Sequence, residues 1–384
     1  MSDLEYELPP EAVATHPAVP RESARLLVAR RGEPAAGIED RRVSDLPDLL
    51  APGDLLVVNT TRVIPARFVG VRADTGGRAE GLYLADVPGE GSLHWRAMLK
   101  ARRLKEGVRI TLESVADGTS APPDPEVDGT SGVSLELLSR SEVAGEEGAW
   151  VARVHGAAAG ESSMALLARV GLPPIPPYIR AARRQHEEAE TCGEDPAAYQ
   201  TVYARADRAG GGSVAAPTAG LHFSPKLLAR LEARGVRRAE VALHVGTGTF
   251  KVVETEFLEQ HPMHAEWCCV PEATRRLLVD TRAAGGRVIA VGTTTARTLE
   301  SFPDLLERPG EREVWTRILI APGHEWRNVD GLMTNFHLPR STLMAMVGAF
   351  LGEPGGIVRL IALYQHAIAQ GYRFYSYGDA MLVV

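Results

Sequence analysis

The residues of this chain that could do chemistry stand in polar loops beside predicted helices and strands. In Gly212–Phe223 (GSVAAPTAGLHF) small residues precede a capped helix, and Thr218 and His222 are the reactive groups. A glycine-rich turn that includes Gly220 would direct backbone N–H groups towards an anion or a carboxylate. From this segment alone, a tight loop without a ligand is an equally good interpretation.

A second loop carries an arginine and a glutamate one helical turn apart. Ala290–Ser301 (AVGTTTARTLES) predicts a buried strand, a turn at Gly292 and a helix that contains Thr294, Arg297 and Glu300. Ligands of α/β folds bind beyond the carboxyl ends of the strands, so this segment is a candidate binding site. Alternatively, Arg297 and Glu300 form an exposed pair that stabilises the helix by a few tenths of a kcal/mol.

Two later segments add polar side chains. TNFHLPRST contains Asn335 and His337, and YRFYSYGDAM contains Tyr377 and Asp379. Aromatic-rich strands are more often core than site, and Gly-Asp is common in turns, so structural roles are open here. The sequence has no GxSxG and no GxxxxGK[ST] motif, which argues against a serine hydrolase and excludes a P-loop.

Two histidine-containing motifs match known sites only in part. HVGTGTF (244–250) follows a predicted strand, but Lys251 stands where a dinucleotide fingerprint has its third glycine. A tight turn is the better interpretation. HPMHAE (261–266) offers two histidines and a glutamate without further ligands nearby, so we expect no metal site and favour a substrate contact or a hydrogen-bonded cluster.

The elements that must position these residues follow two patterns. From Val69 to about Gly156, short strand-like segments separated by Gly, Pro, Asp and Ser turns are typical of an all-β unit. Elsewhere strands alternate with helices; strands are predicted over 54–58, 239–244, 287–291 and 372–377, and helices over 224–235, 271–285 and 356–370. This alternation predicts an α/β domain with mostly parallel pairing. The predicted fold class is therefore α/β: a large α/β domain (1–68 and 157–384) interrupted by an inserted small all-β, barrel-like domain (69–156).

Composition limits the class of protein. The chain has 384 residues, 45% of them hydrophobic, and a net charge of −7, which is globular and not that of a basic nucleic-acid coat protein. Glu113–Glu147 is acidic and rich in Gly, Ser and Pro, which predicts long loops. Three cysteines fit a reducing compartment. No apolar segment reaches the ~20 residues that a membrane span needs, so we expect a soluble, cytoplasmic protein.

Taken together, the motifs closely resemble one family, the S-adenosylmethionine:tRNA ribosyltransferase-isomerases of queuosine biosynthesis. The blocks that carry the resemblance follow the family order along almost the whole chain; they are YELPPE, LLVVNTTRVIPAR, PPIPPYI, AYQTVYA, GSVAAPTAGLHF, HVGTGTF, HPMHAE, AVGTTTARTLES, TNFHLPRSTL and YRFYSYGDAM. The chain departs from the family pattern at Thr60 (usually Asn or Asp), Val252 (usually Pro) and Tyr375 (usually Phe). The segment Arg180–Pro196 is also longer than usual. These departures bear on substrate fit.

The resemblance implies a reaction and its partners. The ribosyl part of S-adenosylmethionine would be transferred to 7-aminomethyl-7-deazaguanine at the tRNA wobble position, giving epoxyqueuosine, adenine and methionine. S-adenosylmethionine is then a consumed substrate, and no cofactor or metal is expected. The partners would be S-adenosylmethionine and the anticodon stem-loop of tRNA, and the protein would be a monomer.

The resemblance also suggests roles for the polar residues. The sulfonium acidifies the adjacent ribose carbon, so a base is needed, and an acid must serve the departing adenine. We take His222, His244 and His337 as acid-base candidates, and Arg297 as a catalytic residue that holds the methionine carboxylate with the Thr218 loop. The remaining substrate-binding candidates are Asn59, Arg62, Gly220, Gly246, Thr294, Glu300, Asn335, Tyr377 and Asp379.

RNA binding requires positive charge. The candidates form two clusters, one between Lys100 and Arg109 and one after PPYI; they are Lys100, Arg102, Arg103, Lys105, Arg180 and Arg183. Such clusters more often form a solvent-exposed charged face without a ligand, and only the family resemblance favours RNA binding.

Two other functions compete with the transferase. The chain could be an RNA- or nucleoside-binding relative that has lost turnover. It could also be a methyltransferase, although DLLVVNTTR lacks the glycine-rich turn of such a Rossmann site.

Overall fold

The computed structural model describes residues 2–32, 37–87, 93–115, 130–143, 146, 148–205, 212–246, 255, 258–352 and 354–384. The chain forms two compact units. Unit 1 comprises Met1–Arg62, Pro176–Glu187 and Gln200–Val384, and unit 2 comprises Val63–Ile175 and Glu188–Tyr199.

The described residues form strands and helices that are numbered in chain order. The strands are β1 (Arg25–Ala29), β2 (Glu39–Arg42), β3 (Leu55–Asn59), β4 (Arg67–Arg72), β5 (Arg78–Asp86), β6 (His94–Lys100), β7 (Arg109–Glu113), β8 (Thr130–Arg140), β9 (Ala149–His155), β10 (Gly171–Leu172), β11 (Arg237–Leu243), β12 (Glu266–Val270), β13 (Val288–Val291), β14 (Arg312–Thr316), β15 (Gly331–Asn335) and β16 (Ala380–Val383). The helices are α1 (Leu46–Leu49), α2 (Ser163–Val170), α3 (Pro177–Gln185), α4 (Asp195–Ala198), α5 (Pro225–Ala233), α6 (Glu272–Ala283), α7 (Thr293–Glu300), α8 (Thr342–Leu351) and α9 (Gly356–Ala369).

Unit 2 is built on a closed antiparallel β-barrel. Its strands follow the order β4-β5-β6-β9-β8-β7, and a further β4–β7 pairing closes the barrel. Buried and partly exposed residues alternate along β5 and β9, because successive side chains of a strand point to opposite faces. The strand-like segments that the sequence predicts between Val69 and about Gly156 form these six strands. The predicted α/β fold with an all-β, barrel-like domain is confirmed.

The predicted bounds of the inserted domain, 69 and 156, both lie inside unit 2. The unit extends further because β10 pairs with β4, and because Trp95 Nε1 in β6 donates a hydrogen bond to Ser163 of α2 at 2.8 Å.

Unit 1 contains a nine-stranded mixed sheet with the order β14-β12-β11-β3-β13-β15-β16-β1-β2. Both of its faces are covered: Leu55 and Val57 of β3 join one apolar cluster, and Leu56 and Val58 join another. The expectation of mostly parallel pairing is wrong, since half of the eight pairings in this sheet are antiparallel. Parallel neighbours need a crossover connection, usually a helix. The described part of the connection from β11 to β12 has no α-helix, and these two strands pair antiparallel.

The parallel strands β11, β3, β13 and β15 end at one edge of the sheet. Asn335, the last residue of β15, lies opposite Ala380, so the residues before β16 reach the same edge. The strand predicted over 372–377 is absent from this described segment, where only Phe374 forms an isolated bridge. Tyr375 has a φ of 71°, which is incompatible with a continuous strand, and the strand begins at Ala380 instead.

Among the described helices, none is long and apolar enough to cross a membrane by itself. The helices α8 and α9 together have the length and composition of a membrane span, but a bend of 106° separates them.

Candidate active site

A pocket opens in unit 1 at the carboxyl edge of the parallel strands. Its walls come from residues 216–219, from Val245 after β11, from the start of α7 and from the end of β15. Four of the predicted site residues line it: Thr218, Thr294, Asn335 and His337. Gly292, placed at a turn by the sequence, and Tyr375, a departure from the family pattern, also line the pocket. Sequence reasoning did not single out the other polar lining residues, which are Tyr178, Thr293, Thr334, Ser341 and Ser376.

Asn335 connects three segments of the pocket. Thr218 Oγ1 donates to its Oδ1 at 2.8 Å, and its Nδ2 donates to the Tyr375 carbonyl at 3.2 Å and to His222 Nε2 at 3.4 Å. Since Nε2 of His222 accepts, the proton of this ring lies on Nδ1. His222 therefore supports Asn335 from behind, and it is not among the residues that line the pocket.

His337 presents a neutral imidazole at the pocket. Burial lowers its pKa to about 3, and Thr334 Oγ1 lies 2.7 Å from its Nε2. Two tyrosines hold its backbone, because Tyr6 Oη donates to its carbonyl at 2.5 Å and its N–H donates to Tyr364 Oη at 2.9 Å. Burial also lowers the pKa of His222, to about 4, so both rings are uncharged at neutral pH.

Aromatic side chains form one wall of the pocket. The rings of Tyr178, on α3, and Tyr375 lie 4.9 Å apart at an angle of 58°, and Tyr178 Oη is 2.5 Å from Ser376 Oγ. Only the placement of Tyr178 in the PPIPPYI block could have suggested it, since a tyrosine beside prolines has no chemical signature of its own.

Asn59 does not line the pocket; its polar groups are used within the fold. Its Nδ2 donates to the Leu243 carbonyl at 3.1 Å and to Thr294 Oγ1 at 3.3 Å, and its Oδ1 accepts from Thr61 and Leu243. Asn59 thereby links the ends of β3 and β11 to the first turn of α7. Arg62 is exposed and lies outside the pocket lining.

Arg297 forms a buried ion pair with Glu266, through Nη1 and Oε2. Each residue is only 5% exposed, and Glu266 Oε1 also accepts from the Gly246 N–H at 3.1 Å. The Nε and Nη2 atoms of Arg297 are buried and have no hydrogen-bond partner within the described ranges. The pair connects α7 to β12 and to the Gly246 backbone. We expected Arg297 to bind the methionine carboxylate in the pocket, but Arg297 is not among the residues that line it.

Three further candidates hold backbone segments instead of lining the pocket. Glu300 is buried and accepts from the N–H groups of Arg327 and Asn328 at 2.9 to 3.3 Å. Asp379 accepts from the N–H groups of Arg25 at 3.0 Å and Arg373 at 2.8 Å, which closes the turn before β16. Tyr377 is buried in the same turn.

Two other candidates have packing roles. A Cβ at Gly220 would lie 2.1 Å from the Tyr203 hydroxyl, so glycine is required for this close approach. The ring of His244 packs on Trp267, with centroids 4.8 Å apart.

The predicted RNA-binding residues divide between the two units. Lys100, Arg102, Arg103 and Lys105 are exposed near the β6–β7 turn of unit 2, and Arg180 is partly buried on α3 of unit 1. The prediction for Arg183 is wrong, because its side chain is fully buried and its Nε and Nη2 donate to the Thr15 carbonyl.

In the described part of the chain, no group of three His, Cys, Asp or Glu side chains could hold a metal ion. His261 and His264 are partly exposed, whereas Glu266 is committed to Arg297. The HVGTGTF motif beyond Gly246, Val252 and much of Glu113–Glu147 lie outside the described residues.

Known proteins of one family match this chain over its whole length. A family model described as queuosine biosynthesis protein matches residues 1–383. Proteins named S-adenosylmethionine:tRNA ribosyltransferase-isomerase from Caulobacter sp. (strain K31) and Anaeromyxobacter sp. (strain K) are each 46% identical, covering 100% of this chain and 96% and 99% of their own. The crystal structure of an S-adenosylmethionine tRNA ribosyltransferase from Thermotoga maritima is 31% identical, with a TM-score of 0.51 and full coverage of both chains. The chain belongs to the family of queuosine biosynthesis proteins.

Proposed function

We propose that this protein transfers and isomerises the ribosyl moiety of S-adenosylmethionine onto 7-aminomethyl-7-deazaguanine at the tRNA wobble position. The products are epoxyqueuosine-tRNA, adenine and methionine. The observation that carries the proposal is the likeness, over the full length of the chain, to relatives named for this ribosyl transfer and isomerisation. The pocket at the strand edge, with its imidazole, amide, hydroxyls and aromatic wall, supports it.

The pocket residues fit the chemical needs of this reaction. A base must remove a proton from the ribose carbon next to the sulfonium, and His337 is the histidine that lines the pocket. Burial keeps its ring unprotonated and able to accept a proton, but it also lowers the basicity of the free ring, so the bound substrate must raise this pKa for the transfer. The hydroxyls of Thr218 and Thr294 and the amide of Asn335 are preorganised polar groups for the ribose and the methionine part. Tyr178 and Tyr375 offer ring faces to a purine.

The proposal requires no cofactor, because S-adenosylmethionine is consumed as a substrate. A monomer in the cytoplasm remains our expectation, and sedimentation of the purified protein would measure its oligomeric state.

The test is product analysis with tRNA that carries 7-aminomethyl-7-deazaguanine. We expect the wild-type protein to release adenine from S-adenosylmethionine and to form epoxyqueuosine, detected by mass spectrometry of the digested RNA. A His337→Ala variant should lose turnover, whereas His366→Ala, at a partly exposed histidine on α9, serves as the matched control.

Two outcomes would overturn the proposal. Retained RNA binding without adenine release in the wild type would support the binding-protein alternative. Methylated RNA would support a methyltransferase.

A further inference from the structure

A row of three aromatic side chains crosses the strands beside the pocket. The His244 N–H donates to the Trp267 carbonyl at 2.9 Å, and Trp267 of β12 lies directly opposite Trp315 of β14. Directly opposed residues of antiparallel strands share a face of the sheet. His244, Trp267 and Trp315 therefore form one aromatic row.

The row lies on the face of these strands that points away from the apolar core. The neighbouring residues Val241, Leu243 and Cys268 point to the other face and are buried in the core. In contrast, His244 and Trp267 are partly exposed, and Trp315 is 68% exposed on β14, the edge strand of the sheet. A single exposed aromatic residue needs no explanation, but an aligned row of three favours a binding surface.

The row begins at the pocket. His244 is followed directly by Val245, which lines the pocket, and Trp315 is the member farthest along the row. Adjacent strands lie about 4.8 Å apart, a spacing of the same order as the ~3.4 Å stacking distance of successive bases. A strand of nucleotides that enters the pocket would thus pass over the row.

The charges around the row suit a polyanion. Arg317, two residues after Trp315, is exposed and makes no ion pair within the part of the chain that the structure describes. On β11, Glu240 is four residues before His244 and lies between two arginines, Arg205 at 2.8 Å and Arg238 at 3.6 Å. Glu313, two residues before Trp315 on β14, is exposed and offsets Arg317. One carboxylate, Glu240, cannot neutralise both Arg205 and Arg238, so one positive charge is in excess on this face of the strands.

We propose that His244, Trp267 and Trp315 stack unpaired RNA bases that flank the nucleotide held in the pocket. This inference rests on the proposed function and specifies how the RNA is held. Proteins read single-stranded loops by stacking splayed bases on aromatic side chains, with cations beside them for the phosphates.

The test measures RNA binding by Trp315→Ala, with fluorescence anisotropy of a labelled anticodon stem-loop. Loss of one base–aromatic stack costs about 1–3 kcal/mol, so Kd should rise about 5- to 150-fold. Trp315→Phe, which keeps a ring face, should recover most of the affinity. Val358→Ala is the matched control, because Val358 is 74% exposed on α9, and its Kd should equal that of the wild type.

A duplex RNA of equal length gives a second measurement. Its bases are paired, so Trp315→Ala should weaken duplex binding much less than stem-loop binding.

Three results would overturn the inference: an unchanged stem-loop Kd for Trp315→Ala, an equal loss for duplex RNA, or a loss that Val358→Ala shares. If the variant instead alters the sedimenting mass of the protein and leaves RNA binding intact, the row is a protein interface. Adenine release by the wild type tests the proposed function separately, because stem-loop binding is measured without turnover.

Discussion

The buried pair of Arg297 and Glu266 gives the sharpest prediction on stability. Replacing Glu266 by Gln keeps the size of the side chain and an acceptor for the Gly246 N–H, but removes the negative charge beside Arg297. Arg297 would then be a buried cation without a counter-ion among the described residues. Removing one partner of a buried ion pair costs about 3–5 kcal/mol, and the buried Nε and Nη2 atoms, without a partner among the described residues, favour the upper part of that range.

The assay is urea unfolding followed by tryptophan fluorescence, in a double-mutant cycle. Glu266→Gln should lower the free energy of unfolding by about 3–5 kcal/mol. Glu266→Gln combined with Arg297→Met removes both charges, so it should be more stable than the single Glu266→Gln variant.

The matched control is an exposed pair. Arg276 is 71% exposed and lies 2.9 Å from Glu272 on α6, so Arg276→Gln should cost no more than about 0.5 kcal/mol. A Glu266→Gln loss as small as that of this control, or a double variant that loses the sum of the two single losses, would show that Arg297 and Glu266 are not a coupled buried ion pair.

Three further predictions follow from the site. The pKa of His222 is about 4 in the folded protein against an ordinary 6.5, so between these pH values the unfolded chain binds a proton that the folded chain does not. Stability should therefore fall as the pH drops from about 6.5 to 4. His222→Gln should reduce this loss by up to about 3 kcal/mol, measured by urea unfolding at several pH values. Glu300→Gln should cost about 1–3 kcal/mol, because its carboxylate binds two backbone N–H groups; unchanged stability with a raised KM for S-adenosylmethionine would instead make Glu300 a ligand. Tyr6→Phe leaves the His337 carbonyl without its donor, so kcat should fall more than the KM for S-adenosylmethionine changes, and equal kcat values would contradict this positioning role.

The sequence predicted the six barrel strands of unit 2 well because their patterns are local, whereas of the nine described strands in the sheet of unit 1 it predicted only β3, β11 and β13. The alternation of apolar and polar residues in β5 and β9 needs no information beyond the strand itself. Polar residues at the ends of strands could also be placed, since Thr294 and Asn335 follow or end buried strands and meet at one edge. The strand predicted over 372–377 failed because the positive φ of Tyr375 follows from the tertiary turn.

Roles within the site depend on distant partners and could not be derived from the sequence. Asn59 and Glu300 look like ligands in their motifs, yet their hydrogen bonds go to Leu243 and Asn328. Arg183 looks like a surface cation, but its partner is a carbonyl 168 residues earlier in the chain. The sequence shows which side chain stands at each position, but its hydrogen-bond partners come from segments that are distant in the chain and are known only from the fold.

The chain order of the sheet in unit 1 has a consequence for synthesis on the ribosome. The barrel strands β4 to β9 are contiguous in sequence, so the barrel can close while the nascent chain is still growing. In contrast, β3 pairs only with β11 and β13 among the described strands, and Leu26 of β1 pairs with Ala380 of β16. These apolar strands wait for partners that are translated much later, and long loops must close before they pair. During that interval β3 and one edge of β1 are unpaired strand edges, which can pair with other chains before the native partners are made.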